Sequence, residues 1–269
     1  MPKVSVIMGI YNTPKREYLE KSITSILNQT FKDFEFIICD DGSNNDCLKW
    51  AKEICKDDTR CIFLKNEQNR GLAYTLNHCL QVAKGEYIAR MDDDDESILE
   101  RLQKQVDFLE NNPDYSVVSA NASVFDDNGI YKELKYNEIV QKEDFLFNNP
   151  IIHPVVLIRK SAYDKVENYR DIKNTVRVED YDLFLRMFYN NLKMYIIQEN
   201  LINYRQDKNS AKKKKFKYRI NEVKVRYEGF TKLGLLKNRK NYIYVVKPIV
   251  VGIMPLFILK SFRNKRKGN

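Results

Sequence analysis

The first 110 residues alternate between two kinds of pattern, and that alternation most narrows what the chain can become. Residues 4–10, 34–39, 61–64 and 87–91 are short apolar runs rich in β-branched and aromatic side chains. Between them, residues 18–28, 48–55 and 72–83 carry apolar positions at helical spacing, as in Leu72, Leu76, Leu80 and Ala83. Strands separated by helices of this length predict βαβ units and a mostly parallel sheet with helices on both faces. An open sheet of that kind binds ligands beyond the carboxyl ends of its strands.

Acidic side chains stand at those ends. Asp40-Asp41-Gly42-Ser43 follows the second run, and Asp92-Asp93-Asp94-Asp95 follows the fourth. A third cluster, Glu179-Asp180, opens a helical pattern over 180–190. Four consecutive aspartates repel one another and call for an opposing charge, and Asp-x-Asp oxygens suit a hard divalent cation such as Mg²⁺ or Mn²⁺. The same residues also suit a solvated helix N-terminus, where acids meet the helix dipole. Neither a Walker A lysine loop nor a GxGxxG follows the first run, which argues against P-loop and dinucleotide sites. Five cysteines without a CxxC pair and two histidines, His78 and His153, give low expectation of zinc or Cys-His chemistry.

Beyond residue 111 the pattern is less regular. A helix is expected over 98–111, strands over 117–120, 155–159, 193–198 and 201–205, and a hairpin turn at Asp126-Asp127-Asn128-Gly129. Charge then changes sign. Residues 206–269 hold 19 of the 46 lysines and arginines but 3 of the 37 acids, a net of +16, whereas residues 1–205 are net −7. A basic helix is expected over 211–237. The apolar stretch 243–259 is interrupted by Lys247, Pro248 and Pro255 and is too short and broken for an ordinary spanning helix. An apolar segment flanked by Lys260, Arg263, Lys265, Arg266 and Lys267 fits a helix lying in an anionic membrane interface. The bland alternative is a terminal helix packed on the body.

The motifs resemble, in order, those of the family-2 glycosyltransferases with the GT-A fold. Val4-Ser5-Val6-Ile7-Met8-Gly9-Ile10-Tyr11-Asn12 is similar to that family's opening strand and loop. Ser25-Ile26-Leu27-Asn28-Gln29-Thr30-Phe31 resembles its first-helix exit, and Asp40-Asp41-Gly42-Ser43, Asn69-Arg70-Gly71-Leu72 and Gly85-Glu86-Tyr87-Ile88-Ala89-Arg90-Met91-Asp92 follow. Val178-Glu179-Asp180-Tyr181-Asp182-Leu183 looks like its catalytic Glu-Asp motif. The resemblance covers residues 2–206. It implies an α/β GT-A catalytic domain over 1–205 with a Rossmann-like, mostly parallel central sheet. Residues 1–110 would form its nucleotide-sugar-binding half and 111–205 its acceptor side, followed by the basic helical tail 206–269.

The resemblance also implies roles. Gly9, Ile10, Tyr11 and Asn12 would lie beside the nucleotide, with Tyr11 on the base and Asp41 reading a uracil N–H. Asn69 and Arg70 would sit near the nucleotide, with Arg70 reaching a phosphate, and Asp93 would lie near ribose or phosphate. Asp92 and Asp94 would hold Mn²⁺ or Mg²⁺ against the diphosphate, and Asp180 would be the general base of an inverting transfer. Glu179, His153 and Arg205 are support or acceptor candidates. Where the family often has a histidine two residues after Tyr204-Arg205, this chain has Asp207. The implied donor is a UDP-sugar. The implied acceptor is a saccharide or lipid-diphosphate-linked sugar of bacterial surface polysaccharide, met at the cytoplasmic membrane face, with no nucleic-acid partner. Two other readings stand beside this one. One is a nucleotidyltransferase on a similar sheet, disfavoured by the missing Gly-rich basic loop; the other is a non-catalytic membrane- or nucleic-acid-binding protein built on the tail.

Overall fold

A computed structural model describes residues 1–206 and 215–254. The expected alternation is present. β1 (Val4–Ile10), β2 (Phe34–Asp40), β3 (Cys61–Lys65) and β4 (Tyr87–Met91) are linked by α1 (Arg16–Leu27), α2 (Cys47–Cys55) and α3 (Leu72–Val82). These strands lie parallel in the order β3-β2-β1-β4. The order reverses beside β1, so the ends of β1 and β4 flank the crevice where an open sheet takes its ligand.

Alternate residues of each strand enter opposite cores, as the period of two requires. Val4, Val6, Met8 and Ile10 meet Leu19, Ile23 and Ile26 of α1 on one face. Ile7, Ile37 and Cys39 meet Leu76 and Leu80 of α3 on the other. A parallel sheet covered on both faces reads as a continuous apolar run, which is why β1 and β2 were legible.

The second half is mixed in direction. β5 (Glu96–Ser97) precedes α4 (Arg101–Asn111), so this helix begins three residues later than expected. β6 runs over Tyr115–Asp126, far beyond 117–120, because it pairs with β9 (Lys193–Arg205) along nearly its whole length. β9 is one strand instead of two; register shifts at Asn121 absorb the break read near Glu199-Asn200. The Asp126–Gly129 turn does join β6 to β7 (Gly129–Leu134). α5 (Asp144–Phe147) follows. The strand expected over 155–159 shrinks to β8 (Leu157–Arg159), because Pro154 lies in a 3₁₀ turn at His153–Val155, where it has no N–H to give a ladder. β8 joins β4 to β6 antiparallel to both. α6 (Lys160–Lys165) and α7 (Glu179–Tyr189) complete the body.

The described part of the basic C-terminal region packs on that body. α8 (Phe216–Lys232) crosses α7 so closely that a Cβ on Gly229 would meet Leu185 Cδ1 at 2.7 Å. Val225, Phe230, Leu235 and Val245 are buried in the same core as Leu183 and Phe184. Burying such side chains stabilises by about 2 kcal/mol each, so this docking is more than a tether. α9 (Tyr242–Ile253) runs straight through Pro248, which the sequence had read as a break. Proline leaves the carbonyl four residues earlier without its helical donor. Here Tyr244 O accepts from the buried Arg226 Nη1 at 3.3 Å, which supplies the missing donor. Arg226 also donates to Leu146 O and pairs with Glu222, so its charge is compensated. Asp207 and residues 255–269 lie outside the described residues.

Candidate active site

Strand-end loops bring nine of the fourteen sequence candidates into one cleft of about 400 Å³. Gly9, Ile10, Tyr11, Asp41, Asn69, Arg70, Asp92, Asp93 and Glu179 line it, with Asp171, Ile172, Thr175, Val176, Arg177 and Tyr218 among the residues completing the wall.

Asp41 is a hydrogen-bonding hub of the cleft. It is buried, and its two oxygens accept from Asn66 Nδ2 (2.9 Å), Asn69 Nδ2 (2.9 Å), Arg70 N (2.8 Å) and Gly71 N (2.8 Å). Four donors fill the acceptor sites of a carboxylate, so reading a base would require exchanging one of them. Gly42 lets the 66–71 loop come this near: its φ is +69°, and a Cβ there would meet the Gln68 backbone at 2.5 Å. Asp40 supports the turn, accepting from Ser43 N at 3.1 Å. Asn12 is placed differently from expectation. It does not line the cleft; it joins the β1 and β2 loops, its N donating to Ser43 Oγ and its Oδ1 accepting from Asn44 N.

The aspartate run turns at the end of β4. Asp92 pairs with the buried Arg90, and Thr13 Oγ1 donates to Asp93. Carboxylate oxygens of Asp92, Asp94 and Asp95 all lie within 4.8 Å of one another. Burial pushes the Asp93 carboxyl up to about 6. Burial, reinforced by the Asp92 and Asp93 charges, pushes Asp94 up to about 7. Asp95 lies well above the usual range for the same first cause, and its buried Oδ2 has no hydrogen-bond partner. An orphaned carboxylate oxygen beside two crowded carboxylates is the donor set of a hard divalent cation, so these residues fit one. Asp95 is an addition to the expected Asp92 and Asp94. Arg205 braces this turn: its N donates to Asp95 Oδ1 (2.7 Å), its Nε to Asp94 O (3.2 Å), and its Nη1 pairs with Asp127.

Glu179 and Asp180 open α7, where acids meet the positive helix end. Glu179 is buried; its carboxyl is raised by burial and then by Asp180, and its Oε2 has no partner. Of two clefts in this region Asp180 lines neither. Its neighbour Glu179 lines the first. Its Oδ2 accepts from Asn149 Nδ2 at 2.9 Å, and Asn149 lines a second cleft with Lys135, Asn137, Phe147 and Asn148. Sequence reading did not pair Asn149 with Asp180; its sign was its place at the head of Asn149-Pro150-Ile151-Ile152-His153-Pro154, a run that by resemblance lies near the acceptor side.

His153, expected as a possible acceptor contact, lines neither cleft. It is buried, its Nε2 lies 2.7 Å from Tyr169 Oη, and burial, with the nearby Arg90 charge, holds it well below its usual pKa. It is a neutral core histidine.

Comparison with known proteins bears on the family and the fold. The model of the family described as Glycosyl transferase family 2 matches residues 5–167. EpsE of Bacillus subtilis strain 168, assigned provisionally as a glycosyltransferase, is 38% identical over 269 residues, covering 100% of this chain and 95% of its own. The Escherichia coli UDP-Gal:alpha-D-GlcNAc-diphosphoundecaprenol beta-1,3-galactosyltransferase is 29% identical, covering 94% of this chain and 92% of that one. Staphylococcus aureus TarS 1–349 in complex with UDP-GlcNAc superposes with a TM-score of 0.69 at 17% identity, covering 84% of this chain and 66% of TarS 1–349, and thereby shares the fold.

Proposed function

Because this chain belongs to the family-2 glycosyltransferases, we propose that it moves a sugar from a UDP-sugar to a hydroxyl of a lipid-diphosphate-linked saccharide, inverting the anomeric centre, in the synthesis of a bacterial surface polysaccharide. One observation carries this reading: Asp41, Asp92, Asp93 and Glu179, from separate stretches of chain, share a cleft at the strand ends, and Asp180 follows Glu179 in the chain. The E. coli relative's name pairs a UDP-sugar donor with a diphosphoundecaprenol-linked acceptor and a β-linkage, which supports the same substrate classes here.

The steps follow from the residues. Tyr11, half exposed at the mouth, stacks on the base, and the Asp41 hub holds Asn69 and Arg70 toward ribose and phosphate. Asn149 orients the Asp180 carboxylate. Asp180 takes the proton of the acceptor hydroxyl as that oxygen attacks the anomeric carbon opposite the diphosphate. The new carbon–oxygen bond forms as the sugar–phosphate bond breaks, and UDP leaves. A divalent ion held by Asp92, Asp94 and Asp95 would neutralise charge on the departing diphosphate. Asp180→Asn should lower UDP release from a UDP-sugar in the presence of Mn²⁺ and acceptor by about 10²- to 10⁴-fold. UDP binding should persist. Parent-like turnover in that variant would remove Asp180 from its role.

We also propose that the C-terminal helices hold the enzyme on an anionic lipid surface. No helix among the described residues is long and apolar enough to cross a membrane. Ile243, Val246, Val250 and Ile253 recur at helical spacing on α9 and are exposed, which supports a helix lying in the interface. Phe147 of the second cleft packs on Tyr244 of the same helix, so the acceptor side would face the bilayer. Ile243→Asp with Val250→Asp should abolish co-sedimentation with phosphatidylglycerol vesicles while preserving UDP binding. Undiminished sedimentation would refute the docking face.

A further inference from the structure

The donor cleft has a wall beyond the reach of the family match, which ends at residue 167. That wall is the 170–178 loop, and α8 staples it in place. Asn221 Nδ2 donates to Lys173 O and Val176 O, both at 3.1 Å. Lys224 Nζ donates to Asn174 Oδ1 at 3.0 Å. Arg170, at the start of the loop, bonds Glu228 of α8 and Asp182 of α7. One turn before Asn221, on the same helix face, Tyr218 lines the cleft. Its hydroxyl has no hydrogen-bond partner among the described residues, and its ring is half buried.

The cleft is lined by Asp41 and Asn69, by Asp92 of the chain's divalent-cation donor set with its neighbour Asp93, and by Glu179, the chain neighbour of the base Asp180. A nucleotide diphosphate sugar bound there must bring its anomeric carbon within reach of Asp180, so its sugar lies at the Glu179 end; Val176, three residues before Glu179, is held by Asn221, one turn after Tyr218. That end offers hydroxyl chemistry. The buried Glu179 Oε2 lacks a donor, and a sugar is dense in hydroxyl donors.

We propose that Tyr218, carried by the C-terminal helix α8, hydrogen-bonds a hydroxyl of the transferred sugar and so takes part in choosing the donor. The proposal rests on the reading of this cleft as a nucleotide-sugar site. A role for α8 in the donor wall also explains why a helix so far along the chain is stapled to a loop of the body.

The test uses the full chain with Mn²⁺ and titrates UDP, UDP-glucose, UDP-galactose and UDP-N-acetylglucosamine calorimetrically. Tyr218→Phe keeps the ring and its packing. It should weaken binding of the best UDP-sugar about three- to ten-fold, the worth of one hydrogen bond, with UDP affinity changed less than about two-fold. An unchanged ratio of UDP to UDP-sugar affinity, whether both constants hold or fall together, overturns the proposal and leaves the cleft reading intact. Parent protein that binds none of the four overturns both.

Discussion

The two walls of the cleft proposed to take the donor are built in different ways. One comes from residues 9–93 and is made of strand ends, where neighbouring strands set the backbone and Asp41 ties four donors into one knot. The other comes from residues 171–179 and Tyr218. It is a loop with Arg177 at φ +68° and with Ile172 and Val176 exposed, held by side chains of a helix about fifty residues further on. The first wall is suited to a ligand part common to many donors, the nucleotide. The second can change by substituting a few surface contacts without disturbing the sheet, which suits the part that differs between donors, the sugar.

Breaking the first wall should cost most. Asp41→Asn places an amide against donors that now meet a carboxylate, leaving at least one N–H facing another. A loss of roughly 3 kcal/mol in urea unfolding is expected, together with loss of UDP binding. A change under about 0.5 kcal/mol would mean that the knot is not structural.

The aspartate turn gives the next effect, and its sign is fixed. Asp93 and Asp94 have folded values raised to about 6 and about 7, above the ordinary carboxylate value. The folded state then binds more protons than the unfolded one. The turn's contribution to stability is full below the ordinary value near pH 4 and is lost as pH rises through 6 to 7. A divalent cation favours the charged forms. Mn²⁺ should therefore raise the unfolding midpoint by several degrees at pH 7.5 and by little at pH 5. Equal shifts at both pH values would separate the ion from this cluster.

The smallest effect belongs to the second wall. Asn221→Ala removes both bonds to the 173–176 backbone but leaves α8 anchored by Val225 and Phe230. About 1 kcal/mol of stability should be lost, with KM for the UDP-sugar raised a few-fold and UDP affinity retained. If UDP affinity fell as far as UDP-sugar affinity, the division of labour between the walls would fail.

Legibility in the sequence follows the same line. β1, β2 and β4 were readable because residues buried on two faces form mostly apolar runs, interrupted only by Ser5, Glu35 and Arg90 before the acids Asp40-Asp41 and Asp92 at their ends. β9 was read as two strands because its continuity depends on bulged pairing with β6, some eighty residues earlier. His153 and Glu179 are polar residues that look alike in a sequence, yet one is satisfied in the core by Tyr169 and the other has an orphaned oxygen in the cleft. Asn149 and Tyr218 stand inside runs that the sequence marks for other reasons, 149–154 and the basic aromatic run 212–219, but nothing local marks their roles, since each matters through what it faces.

Periodicity, strand-end acids and charge blocks are short-range properties, and they alone determined the βαβ framework, the acids at its strand ends and the contrast between an acidic body and a basic C-terminal region. Which carboxylates share a crevice, which side chain holds Asp180, and that α8 returns to wall the cleft were decided by packing between segments far apart in the chain. Burial and partnership arise only when those segments meet, because a side chain's surroundings are set by its neighbours in space.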